Sequence, residues 1–367
     1  MPRTVCFTSF SLAYLARARV LAATVRKFHP DWEIWALVVD KPPPELDRAE
    51  AFAPFDQFCY APSLGIPRFR AWMFKHDLVE GCTAVKGQML LRLLQLGADR
   101  VVYLDPDIGL FDRLDLIEQR LDSAAPDSAS IVLTPHQTEA NTSAAAIIDN
   151  EMTSLKYGIY NLGFLAVRND ANGRAFARWW AAMTYRSCYE AIEIGLFTDQ
   201  KYCDLVPTLF DGVHIERDPG CNVASWNLSR RRLSFTADGA LLANGVALKF
   251  YHFTKIGGVG DVMTDRYAGD NVEVHEVVNW YRRQLKANTI GAVANWPWHY
   301  GKFANGTPVP RAARLLFRGR PDLFDTFPDP LADDFHAWLA REMPAMLSPP
   351  GNATPPGDAK PPGDAKH

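Results

Sequence analysis

The chain has few cysteines and none of the spacings that turn them into ligands. Cys6, Cys59, Cys82, Cys188, Cys203 and Cys221 are the six in 367 residues, and no two form a C-x-x-C pair. That removes the usual signature of a zinc site, and the scatter suits reduced thiols of a cytosolic protein. Positive charge is not in excess: Lys and Arg number 39 against 42 for Asp and Glu, a net charge of −3. A nucleic-acid binder usually carries a concentrated basic excess, so that class is not expected. Long apolar runs are also missing near the start. MPRTVCFTSFSLAYLARARV is interrupted at Arg3, Arg17 and Arg19, which fits neither a signal peptide nor a membrane span. The expectation is a soluble cytoplasmic protein with no transmembrane segment, one that could still touch a membrane surface peripherally.

What is present is ordinary globular composition, 48% hydrophobic and 22% charged, in a chain long enough for one large domain with appendages. Val5 to Ser9 reads as a short buried strand. Ser11 is placed to cap a helix with the stripe Leu12, Leu15, Val20, Leu21 and Val25. HPDW ends that helix, and EIWALVVD (Glu33 to Asp40) reads as a second buried strand. Further along come a helix from about Thr83 to Leu96, the strand RVVYLD, and the strand SIVLTP (Ser130 to Pro135). From Tyr157 the pattern is mixed: a strand in YGIYNLGFLAVRND, a helix in ANGRAFARWWAAMTY, and a second helix in FTDQKYCDLVPTLF with Thr198 as its cap. Short strands are expected at Val213 to Glu216, Arg232 to Phe235 and Leu248 to His252. Alternating strands and helices predict an α/β fold with a mixed, mostly parallel sheet, whose ligands bind beyond the carboxyl ends of the strands. Residues 275 to 347 read as helical and irregular. The segment 348 to 367 contains PPGDAK twice and lacks the apolar residues to build a core, so it is expected to be disordered.

Asp105-Pro106-Asp107 stands at one such strand end. On an extended segment residues i and i+2 point the same way, so both carboxylates could face one cavity and hold Mn²⁺ or Mg²⁺. The plain alternative is a pair of solvated loop aspartates. His252, in LKFYHFTKIGG, could complete a carboxylate-rich cation site or simply be structural. Lys255 after it and Lys86 at a helix start could each place charge on a phosphate; both could equally be solvated surface lysines. Asp199-Gln200 could hydrogen-bond a polyhydroxylated ligand such as a sugar, or only cap a helix. Asn222, Trp226 and Asn227 could line a sugar or acceptor pocket, and Arg230, Arg231 and Arg232 could touch a diphosphate or lie in solvent.

The order of these segments is more specific than any one of them. TAVKGQMLLRLLQLGADRVVYLDPDIGLF, YNLGFLAVR, TDQKYCDLV and YHFTK follow one another in the sequence. This order resembles the GT-A glycosyltransferases, in particular the retaining family 8 enzymes (the glycogenin and lipopolysaccharide galactosyltransferase group), over about residues 4 to 260. The resemblance implies a GT-A catalytic domain over residues 1 to 270, with a helical C-terminal extension at 271 to 347. It implies that Asp105, Asp107 and His252 hold Mn²⁺ or Mg²⁺ on the diphosphate of a nucleotide sugar, with a UDP-sugar favoured. Lys86, Asp105, Asn161, Gly163 and Lys255 would then contact that donor, together with Thr8 and Ser9 of the first strand and Asp40 after the second. Asp199 and Gln200 would act at the sugar, Gln200 on the developing cation and Asp199 as the candidate if a covalent nucleophile is used. The chain departs from the pattern in two places. Phe7-Thr8-Ser9-Phe10 has no acidic residue to contact the base, and Lys255 follows His252 more closely than the family's lysine does.

The implied activity is hexosyl transfer to the hydroxyl of a carbohydrate or glycolipid acceptor, with a bacterial surface polysaccharide as the default by analogy. Three other readings are weighed. A sugar nucleotidyltransferase would show a Gly-rich loop after the first strand, yet FTSFSLAYLARARV has no glycine. A haloacid-dehalogenase-type phosphatase needs Thr or Val two residues after the second aspartate, where Gly109 stands. A non-catalytic nucleotide-sugar-binding protein would keep the fold without the chemistry.

Overall fold

The computed structural model describes residues 2–347; the expected disorder of the PPGDAK segment falls outside the described residues. The chain forms two compact units, residues 2–69 with 76–299, and residues 70–75 with 300–347.

The first unit is built on a seven-stranded sheet. Its strands are β1 (Thr4–Phe10), β2 (Glu33–Val38), β3 (Gln57–Tyr60), β4 (Arg100–Leu104), β6 (Ile131–Pro135), β7 (Tyr160–Arg168) and the strand Val213–Ile215. A short β5 (Ile108–Leu110) follows β4 outside this sheet. The order is Val213–Ile215, β6, β7, β4, β1, β2, β3, and only β7 runs antiparallel to its neighbours. All seven residues of β1 are buried, as a strand flanked and covered on both faces requires. One face places Cys6, Ile34, Val102, Leu104 and Phe164 against Leu21 and Val25 of the helix Leu15–Phe28. Each large apolar side chain buried this way contributes about 1.5–3 kcal/mol. The other face carries Phe7 and Tyr103, whose rings meet at 4.9 Å. The mixed, mostly parallel sheet flanked by helices matches the fold class read from the sequence.

Local details differ for identifiable reasons. Ser11 makes no side-chain cap; a 3-10 turn at Leu12–Tyr14 precedes the helix, and the Leu12 N–H donates instead to Asp40 Oδ2 at 3.2 Å. The helix expected over 83 to 96 is two helices, Leu78–Ala84 and Lys86–Gln95, meeting at Val85. A capping box between Asp77 and Glu80 starts the first. Thr198 has φ +45° and caps nothing; its hydroxyl bonds Asp199 Oδ1, and the expected second helix is a 3-10 turn, Lys201–Leu205, with one short helix, Val206–Leu209. The first unit continues past residue 270, because the helix Val272–Asn288 sends Val274, Val277 and Tyr281 into a core with Tyr251 and Phe253. Tyr281 stacks on Phe253 at 3.8 Å. In the second unit, Phe74 packs against Phe317 and Phe335 at 5.1 and 5.4 Å.

His29 gives the fold an acid-sensitive point. It is buried, stacks on Trp32 at 3.8 Å, and its Nε2 accepts the Leu114 N–H at 2.9 Å. Burial, reinforced by the Arg113 charge, lowers its pKa from 6.5 to about 4. A histidine whose folded pKa is depressed stabilises the fold fully above the unfolded value and loses that contribution as the pH falls from 6.5 towards 4. His29→Gln keeps an acceptor and does not titrate. Urea midpoints measured at pH 7.5 and pH 4.5 should therefore fall less in His29→Gln than in the unaltered protein.

Candidate active site

The two aspartates sit on a turn, not on the extended segment expected for them. The Ile108 N–H donates to the Asp105 C=O at 3.0 Å, closing the chain between β4 and β5. The turn still presents both carboxylates to one place, because β5 pairs antiparallel with the strand Phe250–His252, setting His252 opposite Ile108. The Phe253 N–H donates to the Asp107 C=O at 2.8 Å, and the Asp105 N–H to the Gly163 C=O at 2.7 Å. Three distant segments are thereby fixed around the pair. His252 Nε2 lies 3.0 Å from Asp107 Oδ1 and 3.8 Å from Asp105 Oδ2. One ligand atom from each of Asp105, Asp107 and His252 falls within 4.8 Å of the others. Burial opposes charge on both Asp107 and His252, yet their mutual attraction prevails. The Asp107 carboxyl is held below the usual carboxylate range, with Arg17 assisting, and His252 is held above the usual histidine range.

Lys86 is a buried residue, with its side chain 3% exposed. It starts the helix Lys86–Gln95, which lies close against the helix Ala171–Ser187. Gly87 permits this approach: a Cβ there would stand 2.7 Å from the Ala181 Cα. The ammonium reaches Asp105 Oδ1 and Asp199 Oδ2, each at 3.1 Å, and the Leu162 C=O at 3.2 Å, and it lies over the Tyr103 ring. Burial works against the charge, but the two carboxylates outweigh it and raise the pKa further. Asp199 is raised above the ordinary carboxylate range by burial, with Lys86 opposing.

Asn161 links His252 to His136 and Gln200. Its Oδ1 faces His252 Nδ1 at 3.1 Å and accepts the Gly163 N–H at 3.3 Å. Its Nδ2 faces His136 Nε2 at 3.3 Å and Gln200 Oε1 at 3.5 Å. Gln200 Oε1 also accepts the Leu162 N–H, and its Nε2 donates to the Tyr157 C=O. Gly163 leaves room for the imidazole; a Cβ there would meet His252 Cε1 at 2.4 Å.

The other expected residues are engaged differently. The Ser9 hydroxyl donates to the Cys82 C=O, and the Thr8 hydroxyl is buried without a described partner. Asp40 accepts the Leu12, Lys41 and His299 N–H groups, and burial raises its pKa to about 6. Its carboxylate is thus committed to the backbone. Lys255 is exposed in a turn, with φ +51° and no described side-chain partner; no contact brings it to the cluster. Asn227 accepts the Ala224 N–H and donates to the Asn222 C=O and the His136 C=O, so it shapes its own loop and ties it to the end of β6. Asn222 is fully buried with neither amide atom paired, and the Trp226 ring stands edge-on to His252 at 5.2 Å with its indole N–H unpaired. The arginine run is divided: Arg230 pairs with Glu139, Arg231 donates to the Cys221 C=O, and Arg232 pairs with Asp270.

Two contributors were not singled out from the sequence. The Tyr103 hydroxyl donates to Asp105 Oδ1, and His136, just after β6, touches Asn161. Tyr103 could have been found as the residue two before Asp105 on the same strand. His136 follows Pro135 at a strand end, the position where ligands of such sheets gather. Burial lowers its pKa to about 4.

No protein-family model matches the chain. It is similar to two uncharacterized proteins of Bacillus subtilis (strain 168), YfnF, 28% identical over 181 residues, and YfnD, 25% identical over 181 residues. The matched region is 48% of this chain and 57% and 53% of those proteins, so the match spans little more than half of their length. Among solved structures, the galactosyltransferase LgtC in complex with donor and acceptor sugar analogs is similar over 77% of this chain and 99% of that chain, with a TM-score of 0.43 and 16% identity. Mouse xyloside xylosyltransferase 1 is similar over 70% and 98%, with a TM-score of 0.40 and 14% identity. Both TM-scores lie below 0.5, so the functional reading rests on the site's own geometry.

Proposed function

We propose that the chain is a glycosyltransferase of the GT-A type that requires a divalent cation and moves a sugar from a nucleotide diphosphate sugar to an acceptor hydroxyl. The observation that carries this reading is the convergence of Asp105, Asp107 and His252 at the carboxyl end of β4, with Lys86 and Asp199 beside them. Two carboxylates and an imidazole form a mainly hard donor set that fits Mn²⁺ or Mg²⁺. A cation bound there would offset the negative charge that develops on a departing diphosphate. Lys86 offsets the charge of Asp105 and Asp199 before any substrate arrives, so the site does not repel an anionic donor as three bare carboxylates would. Gln200, with both ends of its amide fixed by backbone groups, supplies an oriented dipole beside Asp199, where the positive charge of an oxocarbenium-like sugar would grow. Asp199 is paired with Lys86, which favours an electrostatic role over a nucleophilic one, and we infer retention of the anomeric configuration.

The test is a panel of nucleotide sugars offered with Mn²⁺ and simple carbohydrate acceptors, read as nucleoside diphosphate release and product anomer by NMR. Release from a UDP-sugar, abolished by a chelator and giving the retained anomer, is expected. Binding of donors with no release from any of them would make the chain a nucleotide-sugar-binding protein. Formation of a nucleotide sugar with release of pyrophosphate, when a nucleoside triphosphate and a sugar 1-phosphate are offered instead, would make it a nucleotidyltransferase.

A further inference from the structure

We infer that His136 is a positioning residue for the cation site, acting through Asn161 to present the Nε2 of His252 as the free ligand atom. The inference rests on the cation site proposed above.

Two backbone groups beside the site have a hydrogen-bonding sense that cannot change. The Gly163 N–H can only donate, and it points at Asn161 Oδ1. The Leu162 N–H can only donate, and it points at Gln200 Oε1. These two backbone groups fix which end of each amide is oxygen. Asn161 therefore turns its NH₂ towards Gln200 Oε1 and His136 Nε2. An amide NH₂ only donates, so His136 Nε2 must accept. His136 is thus neutral and carries its proton on Nδ1, which faces the Ile159 C=O at 3.2 Å. At the other end, Asn161 Oδ1 can only accept, so His252 Nδ1 carries a proton and donates. That leaves His252 Nε2, the atom beside Asp107, to lose its proton when a cation binds.

The chain Ile159 C=O, His136, Asn161, His252 is continuous, and every member has a single consistent donor or acceptor sense. Asn161 has all four of its hydrogen-bonding positions filled. Without His136, one amide hydrogen of Asn161 loses its acceptor inside a buried site, and the amide is held by fewer partners. The carbonyl then holds His252 less firmly. Outer partners of metal-binding histidines typically change metal affinity by about 10- to 100-fold when removed. The Trp226 ring, edge-on to both His136 and His252 at 5.3 and 5.2 Å, fills space beside them but cannot replace the missing acceptor.

The experiment uses the full chain and Mn²⁺ alone as the probe, with free Mn²⁺ read by electron paramagnetic resonance. His136→Leu removes the acceptor, and His136→Gln restores one. The expected Kd for Mn²⁺ rises about 10-fold in His136→Leu, the low end of the range for direct partners because His136 stands one hydrogen bond beyond Asn161, with most of the loss recovered in His136→Gln. In parallel, ¹⁵N-histidine NMR of the unaltered protein without metal should show His136 neutral and protonated on Nδ1, a readout that survives if the leucine variant fails to fold. An unchanged Kd in folded His136→Leu, equal losses in both variants, or a His136 protonated on Nε2 would overturn the inference and leave the cation site standing. Failure of the unaltered protein to bind Mn²⁺ would instead overturn the cation site, and with it this role for His136.

Discussion

Asp107→Asn is expected to lower sugar transfer by about 10³-fold, the upper range for losing one preorganised electrostatic contact at a reacting centre, and to abolish Mn²⁺ binding, while the protein stays folded. The one side-chain partner described for Asp107 is His252. Its C=O, not its carboxylate, takes the Phe253 N–H that joins the two segments, and asparagine keeps that backbone bond and nearly the same volume. What changes is the charge facing His252. A neutral amide leaves one carboxylate and one imidazole, a much poorer set for a hard divalent ion. Asp105→Asn should lose as much transfer but also stability, because Asp105 additionally receives the Tyr103 hydroxyl and the Lys86 ammonium. Thermal unfolding beside initial rates separates the two. Equal stability losses in both variants would mean that the carboxylates are structural partners and not a cation site.

Lys86→Met is expected to be the most destabilising single change at the site, by about 3–5 kcal/mol, the usual cost of breaking a buried ion pair from one side. Methionine matches the length of the lysine stem, so packing over Tyr103 is kept. The charge is not, and Asp199 is left buried beside Asp105 without its cation. The sign of the pH dependence follows from this. A carboxylate whose folded pKa lies above its unfolded value favours the fold at low pH and disfavours it as the pH rises through the folded pKa. Asp199 is already raised in the unaltered protein, and loss of Lys86 raises it further. The deficit of Lys86→Met relative to the unaltered protein should therefore shrink between pH 7.5 and pH 5, measured by urea unfolding. Asp199→Asn added to Lys86→Met should recover part of the lost stability. A deficit that is flat with pH would show that packing, not charge, sets the role of Lys86.

Much of the scaffold was legible because its causes are local. The apolar runs of β1, β2 and β4 and the stripe of Leu15–Phe28 record their own burial. The order of segments marked Asp105, Asp107 and His252 as cation ligands and Lys86 and Asp199 as contacts to a donor; the fold sets Lys86 between Asp105 and Asp199 and His252 beside Asp107. What was not legible depends on partners distant in sequence. Nothing near Asp40 shows that its carboxylate will receive N–H groups from Leu12 and His299, so a donor contact was expected from a residue that caps the fold. Nothing near Asn227 shows that it will close its own loop. The aspartates converge on His252 by a turn, not by strand alternation, because β5 must reverse to meet the strand of His252. His136 stands at a strand end, but its contact with Asn161 follows only from β6 and β7 lying side by side.

Titration of UDP into the protein by calorimetry, with Mn²⁺ present and then with a chelator, reads whether the nucleotide diphosphate is held through the cation. The account predicts binding that needs Mn²⁺ in the unaltered protein and is absent from Asp107→Asn under both conditions. UDP affinity that is the same with and without the cation, or Mn²⁺-dependent binding that survives in Asp107→Asn, would contradict it.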